Sequence, residues 1–306
     1  MVVSEVPVEV GGLTPGGGWP GGSTEPAAAN APGATVSHET NRLPRPSRTR
    51  VIVIANQKGG VAKTTTAVNL AAALGFGGLT VLVADLDPQG NASTALGIDH
   101  RQGIRGTYEV LLDGDMIEWH AVRSAEAPGL TVLPATIDLA AAELELVDLG
   151  RRERRLADAL DHYLVDHHPD YVILDCPPSL GLLTLNALVA ANEILIPIQC
   201  EYYALEGLTQ LLKTVDRVKD GLNSGLVLST VLLTMYDGRT RLSTQVADEI
   251  RRHFPHETLA AVIPRSVRVS EAPSYGQTVI TYHTGSAGAQ AYLAAAREIA
   301  ERGAAL

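Results

Sequence analysis

Cysteine is scarce in this 306-residue chain, which holds only Cys176 and Cys200. Two thiols cannot make a disulfide framework, and they suit a reducing interior. They share no metal-ligand spacing, so both read as small buried residues. Long apolar runs are missing too: no stretch reaches the roughly 18 uncharged apolar residues that a membrane span needs. The first residues are acidic and rich in glycine and proline, not basic and then apolar, which argues against a secretory leader. Net positive charge is also lacking. The formal charge is −10, but it is uneven. Residues 1–50 are neutral, with 4 Arg against 4 Glu; residues 51–210 carry 9 basic and 21 acidic side chains; residues 211–306 carry 11 basic and 9 acidic. Any basic surface must therefore be local and lie mostly in the last third.

What is present fits a globular core, with 45% apolar residues. Residues 1–48 stand apart. They hold Gly11-Gly12, Gly16-Gly17-Gly18, Gly21-Gly22 and several prolines, and Trp19 is their only aromatic residue. Such a stretch cannot bury enough apolar surface to offset its ordering entropy, so a disordered tail is expected, with residues 49–306 as one domain. From Arg50 onward short apolar runs alternate with amphipathic segments. Strands are expected over 51–55, 80–84, 130–134, 171–174, 193–197, 226–233 and 258–263. Helices are expected over 64–74, 139–147, 153–167, 182–190, 205–220, 242–253 and 287–301. The fold class is α/β: a mainly parallel sheet with helices on both faces, whose ligands bind at the carboxyl ends of strands.

The first of those ends carries Ala55-Asn56-Gln57-Lys58-Gly59-Gly60-Val61-Ala62-Lys63-Thr64-Thr65-Thr66. Strand, glycine turn and helix N-terminus together make a phosphate cradle, because turn N–H groups and the helix dipole converge on an anion. Lys63 is placed for the β- and γ-phosphates, and the Thr64 hydroxyl for Mg²⁺. The ordinary pattern G-x-x-x-x-G-K-[ST] is not met, since its glycine positions hold Gln57 and Ala62. The Ala62 methyl is tolerable at negative φ and strained at positive φ.

Two further strand ends carry acids. In Val81-Leu82-Val83-Ala84-Asp85-Leu86-Asp87-Pro88, the two aspartates point to opposite sides of an extended backbone, so one faces a γ-phosphate. In Tyr171-Val172-Ile173-Leu174-Asp175-Cys176-Pro177-Pro178, Asp175 ends an apolar strand where it can hold Mg²⁺, and the proline pair opens a loop through Ser179, Leu180 and Gly181.

Lys58-Gly59-Gly60-x-x-Lys63-Thr64, followed by these two boxes in this order, resembles the deviant Walker A signature of the ParA/MinD family of P-loop ATPases, most nearly the short chromosomal ParA/Soj type. The segments running from Pro197 through Glu201 and Ala204 to Gly207, from Leu233 to Asp237 and from Ile263 to Pro273 resemble the family as well. The resemblance covers Arg50 to the end. It implies an ATPase using ATP and Mg²⁺, with Gly59, Gly60, Val61, Ala62, Lys63, Thr64 and Thr65 around the phosphates. Thr64 and Asp175 would hold the metal, and Met235 and Pro264 would lie near the base. Lys58 would reach a partner's nucleotide across a homodimer, so Lys58, Lys63 and Asp87 form the catalytic set. Asp87 would orient the attacking water, and Asp85 would support the metal's waters or the loop.

The resemblance also implies nonspecific binding of double-stranded DNA, a ParB-like stimulating partner and a cytoplasmic, nucleoid-associated protein. The candidate DNA contacts are Lys213, Arg217, Arg239, Arg241 and Arg268, although Asp216, Asp220 and Asp237 are interleaved and a charged stretch is usually a solvated face. The alternative is a MinD-type membrane-cycling ATPase, which needs a basic amphipathic C-terminal helix. Residues 287–306 are alanine-rich and balanced in charge, which disfavours it. An electron carrier like the nitrogenase iron protein would need both cysteines at a shared cluster, and Cys176 beside Asp175 is poorly placed for that.

Overall fold

The computed structural model describes residues 42–304 except Tyr202 and Tyr203. Most of the expected tail lies outside these residues, as does part of the segment after Glu201. The last tail residues are described: the Leu43 N–H donates to the Gly77 carbonyl at 2.9 Å. Leu43 also packs on the core.

Eight strands form one sheet in the order β3-β4-β2-β5-β1-β6-β7-β8. They are β1 (Arg50–Ile54), β2 (Val81–Asp85), β3 (Val122–Arg123), β4 (Leu130–Leu133), β5 (Tyr171–Asp175), β6 (Glu193–Gln199), β7 (Val227–Tyr236) and β8 (Thr258–Pro264). Only β3 runs antiparallel, on its neighbour β4. Strands β1, β2 and β5 are buried along their whole length, as apolar runs covered on both faces must be. Alternation splits β1 between two cores. Val51 and Val53 face one side with Leu174, Ile196 and Leu233, while Ile52 and Ile54 face the other.

Helix α1 (Lys63–Phe76) links β1 to β2 and is buried nearly all round, lying between the sheet and the final helix α11 (Ala287–Ala304). Helices α4 (Leu139–Glu145), α5 (Arg155–Asp166), α6 (Leu182–Ala190), α7 (Ala204–Gly221) and α8 (Arg241–His253) match the expected periodic segments. Helices α2 (Asn91–Ala95), α3 (Thr107–Leu112), α9 (Val267–Glu271) and α10 (Val279–Tyr282) were not expected from periodicity, nor was β3. Each is too short for an apolar repeat to show.

Strand β1 lies between β5 and β6, so the chain leaves it toward β2 on one side and the later strands extend the other. That reversal opens a crevice at the carboxyl ends, where ligands of such sheets bind. The register also sets Asp85 at the end of β2 directly beside Asp175 at the end of β5.

Candidate active site

At the carboxyl end of β1 the chain turns through Gly60 and Ala62, both left-handed at φ 73° and 70°. For Gly60 this is free; for Ala62 it sets Cβ against its own backbone, at about 1 kcal/mol. The turn is braced from outside. The Asn56 amide donates to the Pro197 carbonyl at 2.8 Å while its Oδ1 accepts the Lys58 N–H at 3.0 Å. The Thr234 hydroxyl donates to the Val61 carbonyl at 3.1 Å, and Val61 is buried beneath the loop. These contacts fix the turn and leave its N–H groups beyond Lys58 for an anion, and α1 begins at Lys63 with its dipole adding to them.

Lys63 is 7% exposed and its ammonium donates to the Lys58 carbonyl at 3.3 Å. Burial lowers its pKa, opposed chiefly by the charge of Asp175. Asp175 is fully buried, and neither carboxylate oxygen has a hydrogen-bond partner. Burial, then the charge of Asp85, pushes its pKa well above the usual carboxylate range. The Thr64 hydroxyl is near enough to pull the other way, though it closes no hydrogen bond of ordinary geometry. A buried acid without partners is costly, and a hard cation would satisfy it. No group of three or more His, Cys, Asp or Glu side chains among the described residues makes a cage, so such a cation would draw its remaining oxygens from phosphate and water. The donor set fits Mg²⁺ with a nucleotide triphosphate.

Asp85 is fully buried as well. Its oxygens accept the Asp87 N–H at 3.1 Å, the Ser93 N–H at 2.9 Å and the Ser93 hydroxyl at 2.8 Å. Burial raises its pKa to about 6 against these hydrogen bonds. Asp85 thus commits both oxygens to the loop, one to Asp87 and one to Ser93. Asp87 reaches the open side, 8% exposed, with Oδ1 accepting the Gln89 N–H at 3.0 Å.

A cleft of about 560 Å³ opens over the phosphate loop. Gly59, Gly60, Ala62, Lys63, Thr64, Thr65, Asp87 and Met235 form its wall, and so do Gln89, Asn91 and Pro178. Met235 is left-handed there, at φ 49°. Four expected residues are not on the wall: Val61 and Asp175 are buried, and Pro264 and Lys58 lie elsewhere. Pro264 ends β8 beside Tyr236, and Lys58 turns outward, its ammonium 2.9 Å from Glu201 Oε2. Sequence reading missed the braces Asn56 and Thr234. A polar residue near the end of an otherwise apolar strand was the available signal for Thr234.

The five candidate DNA contacts are spread over three helices and a loop. Lys213 and Arg217 are exposed on α7, whose Leu211, Val215 and Val218 are buried, and Arg241 opens α8. Arg239 is bonded to Asp237 at 2.9 and 2.8 Å and pulls that acid down to about 2. Arg268 pairs with Glu271 at 3.1 Å. Cys176 and Cys200 are both buried; burial pushes the first thiol well up and the second to about 11, so neither is a ready thiolate.

The family described as an AAA domain matches residues 49–228. The chromosome partitioning protein ParA of Caulobacter vibrioides is 52% identical over 253 residues, covering 83% of this chain and 94% of that protein. The sporulation initiation inhibitor protein Soj of Bacillus subtilis is 51% identical, covering 83% and 99%. Among solved structures, cobyrinic acid a,c-diamide synthase from Mycobacterium smegmatis with bound ATP analogue and magnesium superposes with a TM-score of 0.69 at 42% identity, covering 83% of this chain and 93% of that one. With half of its aligned residues shared over nearly the full length of these relatives, the chain belongs to the ParA/Soj family of chromosome-partitioning ATPases.

Proposed function

We propose that the protein is a Mg²⁺-dependent ATPase that dimerises on ATP, binds double-stranded DNA without sequence preference and partitions a chromosome or plasmid with a ParB-like partner, on the nucleoid in the cytoplasm. The observation that carries this reading is the pair of lysines. Lys63 is buried and lines the cleft. Lys58 stands at the loop's outer rim, about 40% exposed and off the cleft wall. A lysine so placed is suited to a nucleotide held by a second copy.

Lys63 and the turn N–H groups hold the phosphates, Thr64 and Asp175 hold the cation, and Asp87 orients water. The cation would neutralise charge on the β- and γ-phosphates. Lys213, Arg217 and Arg241 supply exposed charge for DNA phosphates. Arg239 and Arg268 add less, since each already has a carboxylate partner. The MinD-type alternative is not favoured. The apolar side chains of α11, among them Tyr292, Ala296 and Ile299, are buried in the core, leaving little to enter a bilayer. No helix of the described residues is long and apolar enough to cross a membrane.

Binding to nonspecific duplex DNA, measured with ATP, ADP and no nucleotide at two salt concentrations, tests the reading. ATP-dependent binding that weakens steeply with salt is expected. Lys213→Ala with Arg217→Ala should flatten the salt slope by about two, whereas Arg239→Ala should change it less. Absence of binding in every nucleotide state would overturn the DNA reading.

A further inference from the structure

The position of Asp87 depends on a run of hydrogen bonds that starts outside the cleft. Its backbone N–H donates to Asp85 Oδ1 at 3.1 Å. The other oxygen of Asp85, Oδ2, accepts both the N–H and the hydroxyl of Ser93, at 2.9 and 2.8 Å. Ser93 Oγ accepts in turn the Ala135 N–H at 3.3 Å, which ties the set to the end of β4. Ser93 and Asp85 are fully buried, and neither lines the cleft. The turn between them is closed by the Gly90 N–H donating to the Asp87 carbonyl at 2.8 Å, with Gly90 left-handed at φ 63°. Asp87 itself commits one oxygen to the Gln89 N–H; its Oδ2 makes no hydrogen bond among the described residues.

A carboxylate held by three donors is a rigid anchor, and a buried hydroxyl that both donates and accepts is hard to replace. We infer that Ser93 is a positioning residue for ATP hydrolysis: by clamping the Asp85 carboxylate it fixes the backbone of Asp87, leaving Asp87 Oδ2 aimed into the cleft. This rests on the reading of Asp87 as the group that orients water. Ser93 is buried off the cleft wall and acts through Asp85.

The test is a double-mutant cycle on ATP turnover in the full chain. Ser93→Ala should lower kcat on the order of tenfold or more and leave KM for ATP unchanged. In an Asp87→Ala background the same change should cost nothing further, because the residue it positions is gone. Thr107→Val is the control for general loosening. The Thr107 hydroxyl donates to the carbonyls of Asp85 and Pro134 at 2.7 and 3.2 Å, in the same buried region, without touching the carboxylate. That variant should keep its kcat. If Ser93→Ala fails to fold, Ser93→Cys, which retains a weak donor, enters the cycle in its place. A wild-type kcat for Ser93→Ala, an equal loss in Thr107→Val, or a further loss in the Asp87→Ala background would overturn the inference while leaving the ATPase reading intact. Wild-type turnover by Asp87→Ala itself would instead remove the role of Asp87, and the inference with it.

Discussion

The Lys58 ammonium lies 2.9 Å from the Glu201 carboxylate of its own chain. Arg265 approaches the other oxygen of Glu201 at 3.7 Å. If Lys58 is to act on a second copy's nucleotide, this contact must open. Both side chains are about 40% exposed, so the pair is worth little, on the order of 0.2–1 kcal/mol. Glu201→Gln should therefore raise the dimer fraction at subsaturating ATP by at most about fivefold, as read by sedimentation velocity. An unchanged dimer fraction would mark the pair as an idle surface contact.

Ala62 holds a left-handed backbone at the mouth of the phosphate loop. Glycine takes that conformation without a Cβ penalty, so Ala62→Gly should stabilise the nucleotide-free protein by about 1 kcal/mol and raise Tm by roughly 2–4 °C. Differential scanning calorimetry checks this. A fall in Tm would mean that the unfolded-state entropy of the added glycine outweighs the relieved strain.

Asp85 and Asp175 are buried side by side, and both hold their protons more tightly folded than unfolded. A carboxyl whose folded pKa is raised stabilises the protein fully below its unfolded value, and that contribution fades as pH rises through the folded one. For Asp85, with a folded pKa of about 6, stability of the nucleotide-free protein should decline between about pH 4 and pH 6. Asp175→Asn replaces the partnerless buried acid with a neutral amide. It should stabilise that protein near neutral pH by on the order of 1–3 kcal/mol and flatten this slope, while ending Mg²⁺-dependent turnover. Chemical denaturation across pH reads both effects, and a destabilised Asn variant would contradict the account.

Arg50 and Glu193 form a buried bidentate pair at 2.6 Å on each arm. The Arg50 guanidinium also donates to the Ile299 carbonyl at 2.7 Å, joining the first strand to the last helix. Glu193→Ala would leave a buried cation unpaired, at about 3–5 kcal/mol. The measurement is the denaturation midpoint; a loss below about 1 kcal/mol would mean that water reaches the site.

The phosphate loop was legible in the chain because strand, turn and helix follow one another within Val51 to Leu74, and each obeys a local rule of periodicity or backbone freedom. The aspartates at strand ends were legible for the same reason. The helices and strands long enough to repeat an apolar pattern were legible too, whereas α2, α9 and α10 were not. No local rule states that Asn56 is held by Pro197, that Thr234 braces Val61, or that Lys58 meets Glu201. Each of those contacts spans more than a hundred residues and exists only because β1 lies between β5 and β6 with β7 one strand beyond. The left-handed turn at Ala62 belongs with them. Alanine has no preference for it, and the surrounding hydrogen bonds impose it. Neighbours along a chain write its periodicity, and strand order writes its long-range contacts.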